Sequence, residues 1–229
     1  MIKYSAPIVA AAMLAAMCVK SAVSQTAGHA AEAGHDLPAS KASFMLLYGQ
    51  HCAGCHGAPG EGGAARDLTD DTFRRIADEG VIRRVVARGV PHTAMPAFAQ
   101  AAGGDLTDDQ IDTIVSGLRA RGANAVVSLD LNPPPYARPS AGDPTSGGRS
   151  FATFCARCHG ADGRGTRVAG SIVDPAYLAL VSDQSLRTTI IAGRPDLGAP
   201  DWRGNVPGRA MSDQDVSDVV AWLAARRMP

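Results

Sequence analysis

Aromatic residues are scarce in this sequence, making up 5% of its 229 residues. Lysine does not occur after Lys41, and histidine does not occur after His159. The formal net charge is zero, because 22 basic side chains balance 22 acidic ones. No stretch is strongly basic, which argues against a nucleic-acid-binding protein. The shortage of aromatic residues leaves little large apolar material with which to fill a core.

Cysteine is rare as well, and four of the five cysteines belong to a repeated five-residue motif. Both copies have the pattern C-x-x-C-H, in which each cysteine forms a thioether with a haem vinyl group and the histidine binds the iron. Two motifs therefore predict two covalently bound haem c groups. The predicted attachment residues are Cys52, Cys55, Cys155 and Cys158, and the predicted iron ligands are His56 and His159.

Paired cysteines have three other common uses. A zinc ribbon would use both pairs as four thiolate ligands, and a thioredoxin-like pair would lie beside a βαβ unit. Neither use requires a histidine directly after both pairs, and the 103 positions from Cys52 to Cys155 are too many for a ribbon. A structural disulfide is the third alternative. The duplicated histidine favours haem over all three.

Residues 1–24 have the pattern of a secretory signal peptide. Lys3 provides a positive start, and residues 5–19 form an apolar stretch that is short for a membrane span. Ala22-Val23-Ser24 supplies the small residues that precede a cleavage site. An uncleaved leader, or one lipidated at Cys18, would instead tether the protein to a membrane. Either outcome predicts a periplasmic or other extracytoplasmic location, with or without membrane association.

A proline-rich run divides the remaining sequence into two similar parts. We expect a flexible N-terminal segment at residues 25–42, a first domain at 43–131, a linker at 132–145 and a second domain at 146–229. Proline favours an extended backbone, so the linker is expected to be semi-rigid. Each domain has about 80 residues, a size at which an apolar core alone gives marginal stability. A haem buried in each domain would supply the missing apolar surface.

The two parts align as an internal repeat. Residues 70–89 match residues 174–193 at a constant offset of 104. The apolar pairs that this offset aligns include Phe73 with Tyr177, Ile82 with Leu186, and Phe98 with Trp202. The repeat therefore extends well beyond the two motifs and indicates two copies of one fold unit.

Helical patterning occurs in both units, and no segment alternates as a strand would. A first helix is predicted at residues 43–53 in one unit and 147–156 in the other, leading into the haem motif. A last helix is predicted after Thr107 and after Ser212, whose hydroxyl groups can cap it. The predicted fold class is all-α, with two tandem domains of a few helices each around a covalently bound haem.

The haem motif, the downstream Met-Pro loop and the capped terminal helix together resemble class I cytochrome c, twice over. The chain is therefore similar to a dihaem cytochrome c built of tandem domains, over about residues 43–229 apart from the linker. In that family a methionine from the loop before the last helix completes the iron coordination opposite the histidine. The resemblance is specific for haem attachment and says little about the physiological role.

Met95 is the methionine that this resemblance implies for the first unit. It lies in the loop Thr93-Ala94-Met95-Pro96, 39 residues after His56 and before the last helix. A thioether sulfur is a soft, neutral ligand that favours reduced iron, which suits an electron carrier. His92 is the rival, because imidazole also binds haem iron strongly.

The second unit breaks this pattern. The offset of 104 aligns Met95 with Ala199, which has no donor atom. Met211 is the best local substitute, because the loop before it could carry its sulfur to the iron. It also sits one residue before the Ser212 cap, where its side chain could instead pack against Val216. We expect the second iron either to be bound by Met211 or to be open or water-bound, and the other local candidates are Met228, Tyr177 and Asn205.

Arginine is concentrated in the loops of the second unit. Arg194, Arg203 and Arg209 could pair with haem propionates or form a docking face for an acidic partner. Alternatively, they are solvated and balanced by Asp196 and Asp201.

Two functions from different classes fit the sequence. The first is an exported dihaem c-type cytochrome that transfers electrons between respiratory partners, free or as a subunit of a larger electron-transport complex. Its donor would be a quinol-oxidising complex or a dehydrogenase, and its acceptor an oxidase or a small cytochrome. The alternative is a dihaem enzyme of the peroxidase or thiosulfate-oxidising type, with an open second haem. The second unit offers no distal histidine, and no acid–base pair is evident near either motif, which favours the carrier.

Overall fold

A computed structural model describes residues 39–121 and 132–227. The predicted signal peptide, most of the N-terminal segment, Cys18 and Met228 lie outside these residues. All described residues belong to one unit of mutual contacts, Leu37–Pro229. The helices of the first repeat are α1 (Ala39–His51), α2 (Ala53–His56), α3 (Asp71–Ile76), α4 (Glu79–Arg88) and α5 (Asp108–Ala120).

The second repeat has the same order of helices. They are α6 (Pro144–Phe154), α7 (Ala156–His159), α8 (Pro175–Leu180), α9 (Asp183–Ala192) and α10 (Asp213–Ala224). At the offset of 104, α8 and α9 have the same bounds as α3 and α4. The described ranges contain no strand, only three isolated bridges, and none of their helices is long and apolar enough to span a bilayer. The predicted all-α fold with tandem units is confirmed.

Reciprocal hydrogen bonds start the last helix of each unit. The Thr107 hydroxyl accepts from the backbone N–H of Gln110, whose side-chain oxygen accepts from the N–H of Thr107. Ser212 and Asp215 form the same capping box at the start of α10. Losing a cap of this kind costs about 1 kcal/mol. The caps fix where the preceding loops end, and those loops carry the predicted methionine ligands.

The first helix of each unit starts earlier than predicted. We predicted residues 43–53 and 147–156, whereas α1 begins at Ala39 and α6 begins at Pro144. Asp143 caps α6, and proline is favourable at the first helical position, so two residues of the predicted linker are helical. Each helix ends before the first cysteine of its motif, and a separate four-residue turn, α2 or α7, follows.

The first and last helices of each unit cross at close range. In the first unit the large residue is on the first helix and the glycine on the last, and in the second unit this order is reversed. A Cβ atom at Gly117 of α5 would stand 2.0 Å from the ring of Phe44 on α1. A Cβ atom at Gly147 of α6 would stand 2.0 Å from the carbonyl oxygen of Asp218 and 2.7 Å from Cβ of Trp222 on α10. When the two units are aligned on their haem motifs, Phe44 matches Gly147. When they are aligned on the caps of their last helices, Gly117 matches Trp222. Each crossing thus combines one aromatic residue with one glycine, from opposite helices.

The apolar cores of the two units meet between α3 and α9. Ala192 of α9 is buried in the core of the first unit, and Ile76 of α3 packs against the core of the second. The two units therefore share an interface in which each contributes to the core of the other.

Part of the proline-rich linker is bound to the second unit. Arg187 is 2% exposed, donates to the carbonyl oxygens of Pro135 and Tyr136, and pairs with Asp213. The side chain of Tyr136 packs against the core of the first unit. We call residues 132–141 the strap, because Tyr136 packs on the first unit while the carbonyl oxygens of Pro135, Tyr136 and Ala141 accept hydrogen bonds from the second.

The helix crossing of the second unit generates a stability prediction. Gly147→Ala is expected to lower the free energy of unfolding by about 1–3 kcal/mol, because its methyl group would overlap the backbone of α10. Denaturant titration of the full chain followed by far-UV circular dichroism measures this. The matched control is Gly49→Ala in α1, where a Cβ atom would meet nothing within 4 Å. This control is expected to be neutral or stabilising by about 0.5–1 kcal/mol, and equal losses in both variants would contradict the proposed close crossing.

Candidate haem site

Residues of both units line one cavity of about 820 Å³. Its wall is mostly apolar and comes from α4 and α5 in the first unit and from α9 and α10 in the second. A volume of this size lies in the upper part of the range for cofactor sites. The wall includes the predicted ligands His56, Met95, His159 and Met211, together with Ala199, which aligns with Met95.

Each motif histidine is held by a hydrogen bond to a backbone carbonyl. Nδ1 of His56 lies 2.7 Å from the carbonyl oxygen of Arg66, and Nδ1 of His159 lies 3.1 Å from that of Gly170. The two acceptors are 104 residues apart, so the repeat preserves this bond. A carbonyl that accepts from Nδ1–H fixes the tautomer and leaves Nε2 to bind a metal. Both histidines therefore fit the role of an axial haem ligand.

The four motif cysteines are free thiols. Cys155 and Cys158 line the cavity, whereas Cys52 is buried in the core of the first unit and Cys55 is exposed. Burial raises the pKa of Cys52 to about 11 and that of Cys155 to about 12. These two sulfurs are therefore kept as neutral thiols, and a thioether likewise places no charge on sulfur.

The geometry does not match the alternative uses of the cysteine pairs. No disulfide joins the four thiols. Within residues 39–121 and 132–227, no three His, Cys, Asp or Glu side chains converge as a zinc site would require. The second pair, which lines the cavity beside His159, therefore fits covalent haem attachment better than a ribbon or a disulfide.

Equivalent backbone bonds place Met95 and Ala199 at matching positions in the cavity wall. The N–H of Val90 donates to the carbonyl oxygen of Met95, and the N–H of Arg194 donates to that of Ala199, both at 3.0 Å. His92, the rival ligand, is exposed and is absent from the cavity wall. Met95 and Ala199 therefore line the cavity at matching positions, and a methionine of the first unit is replaced by alanine in the second.

Close backbone approach explains how these two loops are held. A Cβ atom at Gly89 would stand 2.6 Å from the carbonyl oxygen of Met95, and one at Gly193 would stand 2.8 Å from that of Ala199. Both glycines have positive φ, 65° and 73°, a region that favours glycine. The loops can therefore fold back against α4 and α9 only because these residues lack a side chain.

Met211 lies both in the core of the second unit and in the cavity wall. Its N–H donates to the carbonyl oxygen of Trp202 at 2.9 Å, as Leu106 donates to Phe98 at 2.8 Å in the first unit. It is 1% exposed and packs in the second core, as expected for a residue before a helix cap. It also lines the cavity, where Nδ2 of Asn205 lies 3.9 Å from its sulfur. Leu106 does not line the cavity.

The three loop arginines of the second unit already have partners. Arg194 forms an ion pair with Asp196, and Arg203 forms one with Asp201. The guanidinium carbon of Arg209 lies 5.0 Å from the ring centroid of Phe154. For Arg194 and Arg203 the geometry favours local balance over a free basic face.

The polar residues of the cavity wall that sequence reasoning missed include Arg66 and Tyr136. Tyr136 belongs to the strap, whose path cannot be read from local pattern. The sequence alone could have drawn attention to Arg66, because the offset of 104 aligns it with Gly170. A charged residue in one unit and none in the other marks a position where the repeat has diverged.

One family model matches each unit. The model described as "Cytochrome C oxidase, cbb3-type, subunit III" matches residues 39–116, and the model described as "Cytochrome c" matches residues 145–226. The chain is a tandem cytochrome c. The two matches lie on either side of the strap, so each family domain corresponds to one repeat unit and implies covalently bound haem c.

Curated relatives match parts of the tandem cytochrome. It is 36% identical to the dihydro-heme d1 dehydrogenase of Pseudomonas aeruginosa over 80 residues, which cover 35% of this chain and 15% of that protein. It is 28% identical to the Cbb3-type cytochrome c oxidase subunit CcoP of Azospirillum sp. over 134 residues, which cover 54% of this chain and 40% of that protein. The chain thus spans well under half the length of each of these relatives.

Solved structures give weaker overlays. The c-type cytochrome NirC is 28% identical, with a TM-score of 0.30 over 35% of this chain and 89% of that one. The Kuenenia stuttgartiensis reducing HAO-like protein complex Kustc0457/Kustc0458 is 18% identical, with a TM-score of 0.42 over 81% and 96%. These scores are too low to add to the assignment, which rests on the two family matches.

The two cysteine pairs generate a prediction about cofactor content. Cys155→Ser/Cys158→Ser is expected to leave one covalent haem per chain, and Cys52→Ser/Cys55→Ser is expected to do the same, because each pair attaches its own haem. The pyridine haemochrome assay on acid-acetone-washed protein measures the ratio, with the full chain as reference. A variant that keeps two covalent haems would contradict the role of the pair it lacks.

A second prediction concerns Met95. Met95→Leu is expected to abolish the near-infrared band of methionine-ligated ferric haem in the first unit and to lower its reduction potential, because thioether ligation favours reduced iron. The matched control is Met45→Leu, since Met45 lies on α1 and does not line the cavity. An unchanged near-infrared spectrum in Met95→Leu would remove this residue from the coordination of iron.

Proposed function

We propose that the tandem cytochrome binds two haem c groups and transfers electrons between protein redox partners. The observation that carries this proposal is that His56 and His159 line the same cavity. A chain that holds two one-electron centres in one apolar cavity can pass an electron from one to the other inside the protein.

The residues of the site have distinct roles in this proposal. Cys52 and Cys55 attach one haem, and Cys155 and Cys158 attach the other. His56 and His159 bind the irons, and Met95 completes the coordination in the first unit. Bound haem supplies one-electron chemistry, while the protein orients it, excludes water and tunes its potential.

Partners and location belong to the same proposal. The leader at residues 1–24 would export the chain, either cleaved or retained as a membrane tether. The donor would be a quinol-oxidising complex or a dehydrogenase, and the acceptor an oxidase or a small cytochrome. Support comes from the match of residues 39–116 to a subunit III family of cbb3-type oxidases, and from the similarity to CcoP. These matches also support a place in a larger electron-transport complex.

One observation favours a second candidate, a dihaem enzyme of the peroxidase or thiosulfate-oxidising type. Ala199 holds the wall position of Met95 but offers no donor atom. If Met211 remains in the core, the second iron has an open face that can bind a small molecule. If Met211 binds the iron, the second haem is six-coordinate and can only relay electrons. The state of Met211 therefore separates the two functions.

Low-temperature electron paramagnetic resonance of the oxidised protein tests this choice. For the carrier we expect two low-spin signals in the wild type and one high-spin signal in Met211→Leu, because the thioether is lost. Leu106→Met is the matched control, since position 106 holds the equivalent backbone place in the first unit and does not line the cavity. A wild-type high-spin signal that shifts with cyanide or peroxide would contradict the carrier and support the enzyme.

A further inference from the structure

Tyr136 of the strap is bound by both units at once. Its side chain packs against the core of the first unit and lines the shared cavity. Its carbonyl oxygen accepts hydrogen bonds from Gln184 at 2.9 Å and from Arg187 at 3.1 Å, both on α9 of the second unit. Burial raises the pKa of Tyr136, while Arg84 and Arg66 of the first unit act in the opposite sense. The phenol therefore lies against the first unit while the backbone of the same residue is held by the second.

Arg187 holds the backbone of the strap from inside the second unit. Its Nε and Nη2 donate to the carbonyl oxygen of Pro135 at 3.0 and 2.8 Å, and its Nη1 donates to Oγ of Ser217 at 3.1 Å. Asp213 supplies the counter-charge, and the side chain of Arg187 is 2% exposed. Hydrogen bonds from a charged donor are stronger than those between neutral groups. Arg187 is not part of the cavity wall, so it fixes the strap from outside the haem site.

Arg83 is the equivalent of Arg187 in the first unit, at the offset of 104. Its Nε donates to a carboxylate oxygen of Asp112 at 2.7 Å, and its side chain is 39% exposed. When the two units are aligned on the caps of their last helices, Asp112 matches Ser217. Serine has no carboxylate to engage Nε, so this nitrogen of Arg187 is available for the carbonyl oxygens of the strap.

Gln184 is a second difference between the units that suits the strap. The offset of 104 aligns it with Gly80, which has no side-chain donor. In the second unit the amide of Gln184 donates to the carbonyl oxygen of Tyr136. Two positions on helices that the repeat preserves, 184 and 217, therefore have side chains in the second unit that allow the strap to bind.

Two other arginines also connect the units. Nη2 of Arg66 donates to Oγ1 of Thr189 on α9 at 3.3 Å, and Nη2 of Arg194 donates to the carbonyl oxygen of Gly63 at 2.7 Å. Each of these side chains supplies one hydrogen bond across the interface. Tyr136 is instead held by two donors on one side and by an apolar core on the other. The strap therefore limits how far the two walls of the cavity can move apart.

We propose that Arg187 is a positioning residue for electron transfer between the two haems: by holding the strap it keeps Tyr136 against both units and so fixes the separation of His56 and His159. This inference rests on the proposed function, because it requires a haem iron on each histidine. The two histidines line the same cavity from different units, and Tyr136 belongs to its wall. A protein that transfers electrons acts by positioning its cofactors. A residue that sets their separation therefore affects the transfer without contacting either haem.

The test is pulsed electron paramagnetic resonance of the oxidised holoprotein with Arg187→Met, which removes the donors and keeps an unbranched side chain. We expect the dipolar coupling between the two ferric irons to weaken by about half, because an untethered strap becomes an ordinary linker. The spectrum of each haem is expected to stay that of the wild type, because Arg187 does not line the cavity. Arg83→Met is the matched control, since it changes the equivalent arginine of the first unit and is expected to leave the coupling unchanged.

Proteolysis supplies a second readout of the strap itself. Chymotrypsin cleaves after tyrosine, and cleavage of the bond between Tyr136 and Ala137 requires the strap to leave its place. We expect this cleavage, followed by mass spectrometry, to be about tenfold faster in Arg187→Met than in the wild type, because charge-assisted hydrogen bonds that oppose local opening are lost. If Arg187→Met fails to fold, Gln184→Ala removes one strap donor and is expected to change cleavage and coupling in the same direction by smaller factors.

The outcomes separate this inference from the function on which it rests. Cleavage at the wild-type rate in the strap variants would overturn the hold on the strap. Faster cleavage with the coupling of Arg83→Met would overturn the positioning role. In both cases two coupled haems in the wild type leave the proposed function intact, whereas wild-type protein without two covalent haems would refute the function itself.

Discussion

Two hydrogen bonds from histidine to backbone carbonyl oxygens fix the geometry on which the site depends. His56 is held by the carbonyl of Arg66 and His159 by that of Gly170. Each bond engages Nδ1, leaves Nε2 for iron and ties the haem motif to a residue of the cavity wall. Because both histidines line the same cavity, the two haems of the proposed function would lie in one cavity. Charged residues of one unit therefore lie in the wall of the cavity that the other unit also lines.

The repeat preserves this scaffold and changes the chemistry at matched positions. Met95 and Ala199 accept equivalent backbone bonds, yet only one of them can offer a sulfur to iron. Arg66 and Gly170 hold equivalent histidines, yet only one brings a charge into the wall. Divergence at these two pairs gives the proposed haem sites of the two units different surroundings. In the proposed function, ligation by Met211 would decide whether the second iron relays electrons or reacts.

Much of the fold could be predicted from the sequence because its signals are local. The haem motifs, the capped last helices and the offset of 104 each depend on residues that are close in the chain. The contact between the first and last helices could not be predicted. It pairs Phe44 with Gly117 in the first unit and Gly147 with Trp222 in the second, and the two residues of each pair lie about 70 positions apart in the chain. The same limit explains why Arg66 was missed. Its local sequence describes a loop, and its significance comes from a helix in the other unit.

The central claim is that two haems occupy one cavity shared by both units. Pulsed electron paramagnetic resonance of the fully oxidised protein tests it most directly, through the magnetic dipolar coupling between the two ferric irons. The account predicts coupling in the full chain that disappears in either of the single-haem cysteine variants. Two ferric signals in the full chain that equal the sum of the single-haem spectra, with no coupling, would contradict it.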